Sequence, residues 1–188
     1  ASGEITALTD RKGPDQGAQI SPDGTKIAYV GFDDVGNAYD QAQLYMMNAD
    51  GSGKELITGD FPASPDGMEW TDAGLFVSFE ADGEHRVAKV AMNGRVTLLE
   101  PRLGSTYYAL PYTGGEWSVS DRGAIAFTTA SSVAPPDIGV TTRGGTRTLT
   151  ALNALHLGGK ELGQTRPLDV TAADGVKIPA WILLPPGY

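Results

Sequence analysis

Residues 20–29 read ISPDGTKIAY, and the reading of this stretch decides the fold. Pro22, Asp23 and Gly24 form a turn signal. The residues after it alternate, with Ile27 and Tyr29 on one strand face and Ala28 and Val30 on the other. The string SPDG recurs at 64–67, which suggests a repeat of 43 residues, but the residues after the second copy do not match those after the first. There a further turn, Thr71–Gly74, intervenes before the next apolar run. Aligning apolar residue, turn and strand gives three units instead: ISPDGTKIAY at 20–29, WTDAGLFVSF at 70–79 and VSDRGAIAF at 119–127. Their turn glycines, Gly24, Gly74 and Gly123, are spaced 50 and 49 apart. In this alignment the Ser64 copy belongs to the connection before the second unit.

A second motif accompanies the first each time. LYMMNADGSGKELIT (44–58) is a strand, an Asp-Gly turn and a strand. HRVAKVAMNGRVTLL (85–99) repeats it about Asn93-Gly94, and DIGVTTRGGTRTLT (137–150) about Gly144-Gly145. EITALTD (4–10) has the texture of the last strand of such a unit. The chain is therefore read as one orphan outer strand followed by three four-stranded antiparallel units. That period and strand count mark β-propeller blades. An ordinary β-sandwich with similar turns is the alternative, and two motifs repeating three times in one order argue against it. Closed propellers use about four to eight blades, so three read as part of a ring, and open blade edges give a tendency to self-associate.

Beyond the third unit the texture changes. Leu152, Leu155 and His156 suit one short helical turn ended by Gly158-Gly159. LDVTAADGVKIPAWILL (168–184) reads as a hairpin about Asp174-Gly175. Pro179 cannot donate to a ladder and marks an edge. Trp181–Leu184 is apolar at every position, the pattern of a strand covered on both faces.

Composition agrees with many short elements. Glycine accounts for 25 of 188 residues, about twice the usual share, beside 12 prolines. The formal charge of −9 opposes a nucleic-acid or anionic-membrane surface. With no cysteine there is neither a disulfide framework nor a thiolate metal site. No apolar run approaches the length of a spanning helix, and ASGEITALTD lacks the layout of a signal peptide. The compartment is left open.

The blade motifs SPDGTKIAYV and LYMMNADGSGKELIT, followed by DGVKIPAWILLPPGY (174–188), resemble the prolyl oligopeptidase family of serine peptidases, in its acylaminoacyl and dipeptidyl peptidase-like branch. The resemblance spans essentially the whole chain. It implies a propeller followed by an α/β-hydrolase domain, whose first strands carry the DG-x-x-I-x-x-W-x-x-x-P pattern. The division expected from it is propeller blades over 1–150 (about 11–59, 60–100 and 104–150, after an outer strand), a linker over 151–166, and the first hairpin of the hydrolase domain over 167–188. The implied function is the non-catalytic portion of a peptidase that gates short peptides to a hydrolase domain outside this chain. TolB-like propellers share the blade motifs alone, which gives the alternative of an interaction module without catalysis.

The family's nucleophile sits in a G-x-S-x-G elbow. None of the ten serines (2, 21, 52, 64, 78, 105, 118, 120, 131 and 132) has glycine at both required positions, so no catalytic residue is assigned. His85 and His156 read as surface or loop residues. No cofactor or metal site is expected, since nothing supplies three or four clustered ligands. Asn48, Asp50, Ser52 and Gly53 have calcium-loop spacing, but Gly59 stands where a bidentate Glu belongs, so a hairpin turn explains them better. Asp33, Asp34 and Asp40 read as a solvated acidic loop. Asp33, Glu80, Glu84 and Glu116 do not match the carboxylates with which the dipeptidyl branch holds a substrate amine. Tyr107, Tyr108, Tyr112 and Trp117 read as packing between blades or as a peptide-facing surface. Pro135-Pro136 reads as architectural. Substrate-binding residues stay unassigned.

Overall fold

The structure, a computed structural model, describes residues 3–59, 61, 63–105 and 114–188. The described residues are all-β apart from one helical turn. Twelve strands form three four-stranded antiparallel sheets in simple sequence order. The first holds β1 (Asp15–Ile20), β2 (Lys26–Gly31), β3 (Gln43–Asn48) and β4 (Glu55–Leu56). The second holds β5 (Pro65–Thr71), β6 (Gly74–Ala81), β7 (Glu84–Val90) and β8 (Val96–Leu103). The third holds β9 (Trp117–Val119), β10 (Ile125–Ser131), β11 (Ala134–Thr142) and β12 (Gly145–Thr148). The helical turn α1 (Ala154–Leu157) precedes a separate hairpin, β13 (Gln164–Thr171) with β14 (Lys177–Leu184). This is the expected fold class of consecutive meandering blades.

The turn chemistry explains the repeat. Gly24, Gly74 and Gly123 all have positive φ, which a side chain opposes. At the first turn Asp23 accepts hydrogen bonds from the Ser21 hydroxyl (2.6 Å), the Thr25 N–H (3.0 Å) and the Thr25 hydroxyl (2.8 Å). The Ser64 copy does something else. Its last three residues, Pro65–Gly67, open strand β5, with a bulge between Pro65 and Gly67, and only Ser64 stays in the connection where the sequence placed the whole copy. There Asp66 reaches across the ladder and accepts from the Ser78 hydroxyl at 2.6 Å.

Two expectations shift. Residues 4–10 form no strand, and Ile5 is almost fully exposed. A strand exists only through its ladder, and among the described residues 4–10 enter none, although Asp10 lies 3.4 Å from Lys54 just ahead of β4. In the third sheet Thr142 pairs with Gly145, so the turn is Arg143-Gly144 and not Gly144-Gly145.

The chain divides into two compact units. The first comprises Ala1–Glu80, Arg86–Glu100 and Val119–Ala124. Its core is built by β2, β3, β6 and β7, with Ala28, Leu44, Leu75, Val77, Val87 and Ala88 sealed from water. Tyr29 and Tyr45 stack at 5.5 Å, and the Arg11 guanidinium lies 3.9 Å from the Tyr45 ring centroid. The first strands of successive sheets are neighbours here. β1 runs beside β5, and the Glu69 carboxylate on β5 accepts from the Val119 N–H on β9 at 2.6 Å.

The second unit comprises Ala81–His85, Pro101–Ser118 and Ile125–Tyr188. Buried Thr128 organises part of it. Its hydroxyl donates to the Gly104 carbonyl at 2.8 Å and accepts from the Glu116 N–H at 2.9 Å. The β13–β14 hairpin also lies in this unit. Its turn closes with the Ala172 N–H donating to the Val176 carbonyl at 2.8 Å. In the observed register Thr171 faces Lys177 and Gln164 faces Leu184. Antiparallel pairs alternate between bonded and non-bonded, so the even-numbered residues bond across the hairpin. Pro167 and Pro179 both fall at odd, non-bonded positions, which is how a strand with a missing N–H tolerates them. β13 starts at Gln164, ahead of the position 167 expected from the sequence, because Gln164, Thr165 and Arg166 continue the ladder to Leu184, Leu183 and Ile182.

Candidate functional site

The residues that sequence reasoning weighed as sites do not converge. His85 is buried near the start of β7, whereas His156 is exposed on α1. Asn48, Asp50 and Ser52 satisfy one another. The Ser52 hydroxyl donates to Asp50 at 2.6 Å, its N–H donates to the same carboxylate at 2.9 Å, and Asn48 Nδ2 reaches Ser52 Oγ at 3.0 Å. These bonds, hydroxyl first, hold Asp50 below the usual carboxylate range. The loop's oxygens are thus spent on the turn. Asp34 meets Lys12 at 3.9 Å, Asp33 meets Arg11 at 3.9 Å, and Asp40 accepts from Asn37 at 3.0 Å, so each acid of the loop has a partner in the loop or in the segment ahead of β1. Among the described residues no group of three His, Cys, Asp or Glu side chains is placed to hold a metal. Tyr107, Tyr108 and Tyr112 lie outside the described residues; Trp117 is half-buried on β9. Glu80 and Glu116 are exposed, and Glu84 pairs with Arg102 at 2.8 Å.

The second unit does bring together the hairpin and two short turns. In the second sheet β6 and β7 are joined by Asp82 and Gly83 alone, with φ of 51° and 71°. Two consecutive positive φ values are the mark of a type I′ turn, which matches strand twist. The Trp181 ring from β14 rests on Gly83. In the third sheet β10 and β11 are joined by Ser132 and Val133, and the Ser132 hydroxyl hydrogen-bonds the Thr165 hydroxyl of β13. Thr165 and Trp181 are both odd-numbered positions of paired strands, so they project from one face. The other face carries Leu168, Val170, Ile178 and Ile182, each between about a third and a half exposed. A chain carrying an apolar face in water is suited to being covered.

The approach to the hairpin is also built. Asp137 accepts from the Thr150 hydroxyl at 2.6 Å and the Leu152 N–H at 2.9 Å, fastening the chain as it leaves β12. The hydroxyl bond and then the N–H bond lower the Asp137 pKa. α1 comes next with no buried residue, and Leu152 and Leu155 are both exposed. The Pro135–Asp137 stretch therefore contributes a specific fastening in addition to stiffness. Gly83 and Ser132 were not visible as partners in the sequence. Asp-Gly between strands signals a turn, Ser-Val signals none, and neither carries a sign of the side chain that leans on it.

No family model matches this chain, and no curated protein matches it. Solved structures do. Over 97% of its length the chain is similar to an acylaminoacyl peptidase from Pyrococcus horikoshii, with a TM-score of 0.69 and 14% identity. An uncomplexed form of that enzyme matches 86% of the chain at a TM-score of 0.61 and 13% identity. TolB from Acinetobacter baumannii matches 96% of the chain at a TM-score of 0.49 and 15% identity. The chain spans 27% and 24% of the two peptidase chains and 45% of the TolB chain. The likeness is one of fold.

Proposed function

We propose that these residues are the non-catalytic propeller portion of a serine peptidase acting on short peptides, together with the hairpin on which its hydrolase domain begins. The order of parts carries the reading: three meandering sheets, a fastened connection, and then a hairpin with one apolar face. The likeness to a peptidase structure, which extends over 97% of the chain, supports that reading. Residues 1–150 are the propeller part, 151–166 the linker, whose last three residues already belong to β13, and 167–188 the rest of the hydrolase hairpin. In the parent protein a serine would attack the peptide carbonyl, a histidine would take its proton, and backbone N–H groups would hold the oxyanion. No serine among residues 1–188 sits in a G-x-S-x-G elbow, so that chemistry belongs to the parent beyond these residues. The blades' part is to narrow access so that short peptides reach the serine and folded proteins do not. Open blade edges and the apolar hairpin face also favour self-association of the isolated chain.

The test is to read the parent sequence beyond Tyr188 and to label its product. A G-x-S-x-G elbow is expected within about 250 residues, the upper end of ordinary domain size. The parent is then labelled by a fluorophosphonate and the 188-residue chain is not. Further blades in place of an elbow would overturn the peptidase reading and favour an interaction module. Cleavage of folded proteins as fast as short peptides by the labelled parent would remove the gating role alone.

A further inference from the structure

Gly83 and Gly24 have the same φ, 71°, yet their surroundings differ. A Cβ on Gly24 would meet nothing within 4 Å. A Cβ on Gly83 would overlap Cη2 of Trp181 and lie 2.9 Å from Cζ3 and 3.2 Å from Cζ2. Atoms do not approach that closely, so any side chain at position 83 displaces the indole. The residue is held to glycine twice, once by its backbone and once by the ring. The Ser132–Thr165 hydrogen bond lies on the same hairpin face as Trp181. Two contacts from two separate turns are enough to fix both the position and the rotation of a two-stranded ribbon, which on its own is at best marginally stable in water.

We infer that the Asp82–Gly83 turn is a seat for Trp181 and, with the Ser132–Thr165 contact, forms a latch that holds the β13–β14 hairpin by its odd-numbered face. Trp181 is a positioning residue. It sets where the hairpin stands, and with it the direction of any structure that continues from β14. The latch acts wholly between residues of this chain, so it holds or fails independently of the peptidase reading.

Hydrogen exchange at the even-numbered hairpin amides, Arg166, Leu168, Val170, Ile178, Ala180 and Ile182, reports the latch because these bond across the strands. Trp181→Ala is expected to speed their exchange about tenfold or more while the amides of β2, β3 and β6 hold their rates. Gly83→Ala is expected to do the same, whereas Gly24→Ala, with equal backbone strain and open space, leaves the hairpin unchanged. In the double variant the effect of Gly83→Ala should largely disappear, because the ring that it strikes is gone. Unchanged hairpin exchange in Trp181→Ala overturns the proposal. So does a Gly83→Ala effect that adds in full to that of Trp181→Ala. If Gly83→Ala does not fold, the pair Ser132→Cys with Thr165→Cys decides. The chain contains no other cysteine, so one disulfide is expected under mild oxidation, forming about tenfold more slowly when Trp181→Ala is added. A folded double-cysteine chain that forms no disulfide, or forms it equally fast with either residue at 181, overturns the latch.

Discussion

Strands β6 and β14 are both eight residues long and both rich in large apolar side chains, yet water treats them oppositely. In β6 the run Leu75–Phe79 is almost wholly buried, serine included. In β14 Trp181, Ile182 and Leu183 are 49%, 45% and 60% exposed. β6 is an interior strand with β5 and β7 on either side, whereas β14 has β13 alone. Burial is therefore a property of a strand's neighbours, and a strand's own composition states only what it can tolerate.

The largest expected effect tests that contrast directly. Leu75→Ala removes a fully buried side chain and should cost about 2–5 kcal/mol. Ile182→Ala, already half in water, should cost under about 1 kcal/mol in this chain. Denaturant unfolding measures both, and equal losses would break the comparison. A middle-sized effect concerns polar groups. Thr128→Val leaves the buried Gly104 carbonyl and the part-buried Glu116 N–H without their hydroxyl partner and should cost about 1–3 kcal/mol. Thr171→Val on the exposed hairpin should stay within about 0.5 kcal/mol. A large loss at Thr171 would mean that the hairpin is as tightly integrated as the blades.

The smallest effect is a pH dependence confined to the blade turns and the connection after β12. Asp23 is lowered to about 2, chiefly by the Ser21 hydroxyl and then by Thr25. Asp50 and Asp137 are lowered in the same sense. A carboxyl whose folded pKa is depressed contributes stability that is complete above its unfolded pKa, and that stability is lost as pH falls through the folded value. The turn at Ser21–Thr25 should therefore weaken between about pH 4 and pH 2. Asp23→Asn should flatten that dependence when amide exchange at Thr25 and Lys26 is followed against pH. An unchanged slope would show that other carboxyls set the acid response.

Much of this architecture is legible in the residues. Alternation in KIAYV and the Asp-Gly and Asn-Gly turns foretell hairpins because strand period and turn geometry are local properties. The two SPDG copies show where locality ends. In the first copy Asp23 is bonded within its own turn, whereas in the second Asp66 accepts from Ser78 on the neighbouring strand and the chain there is extended. EITALTD has strand texture but no ladder, since pairing needs a neighbour that texture does not provide. Of the candidate site, the Asp174-Gly175 hairpin and its uncovered apolar run were readable. Its two contacts, Trp181 on Gly83 and Thr165 with Ser132, join residues far apart in the chain and carry no local signature.

The residues alone fix most of the strands, their turns to within a residue and the order in which they meander, because those choices are settled locally by φ preferences and side-chain alternation. The exception is 4–10, whose strand texture finds no ladder. Only the tertiary structure decided which apolar strands leave water, which of two identical SPDG strings is a turn, and which of two glycines with the same φ must stay bare. Each of those depends on atoms brought close from distant parts of the chain, and steric exclusion and burial act through distance in space, whatever the separation in sequence.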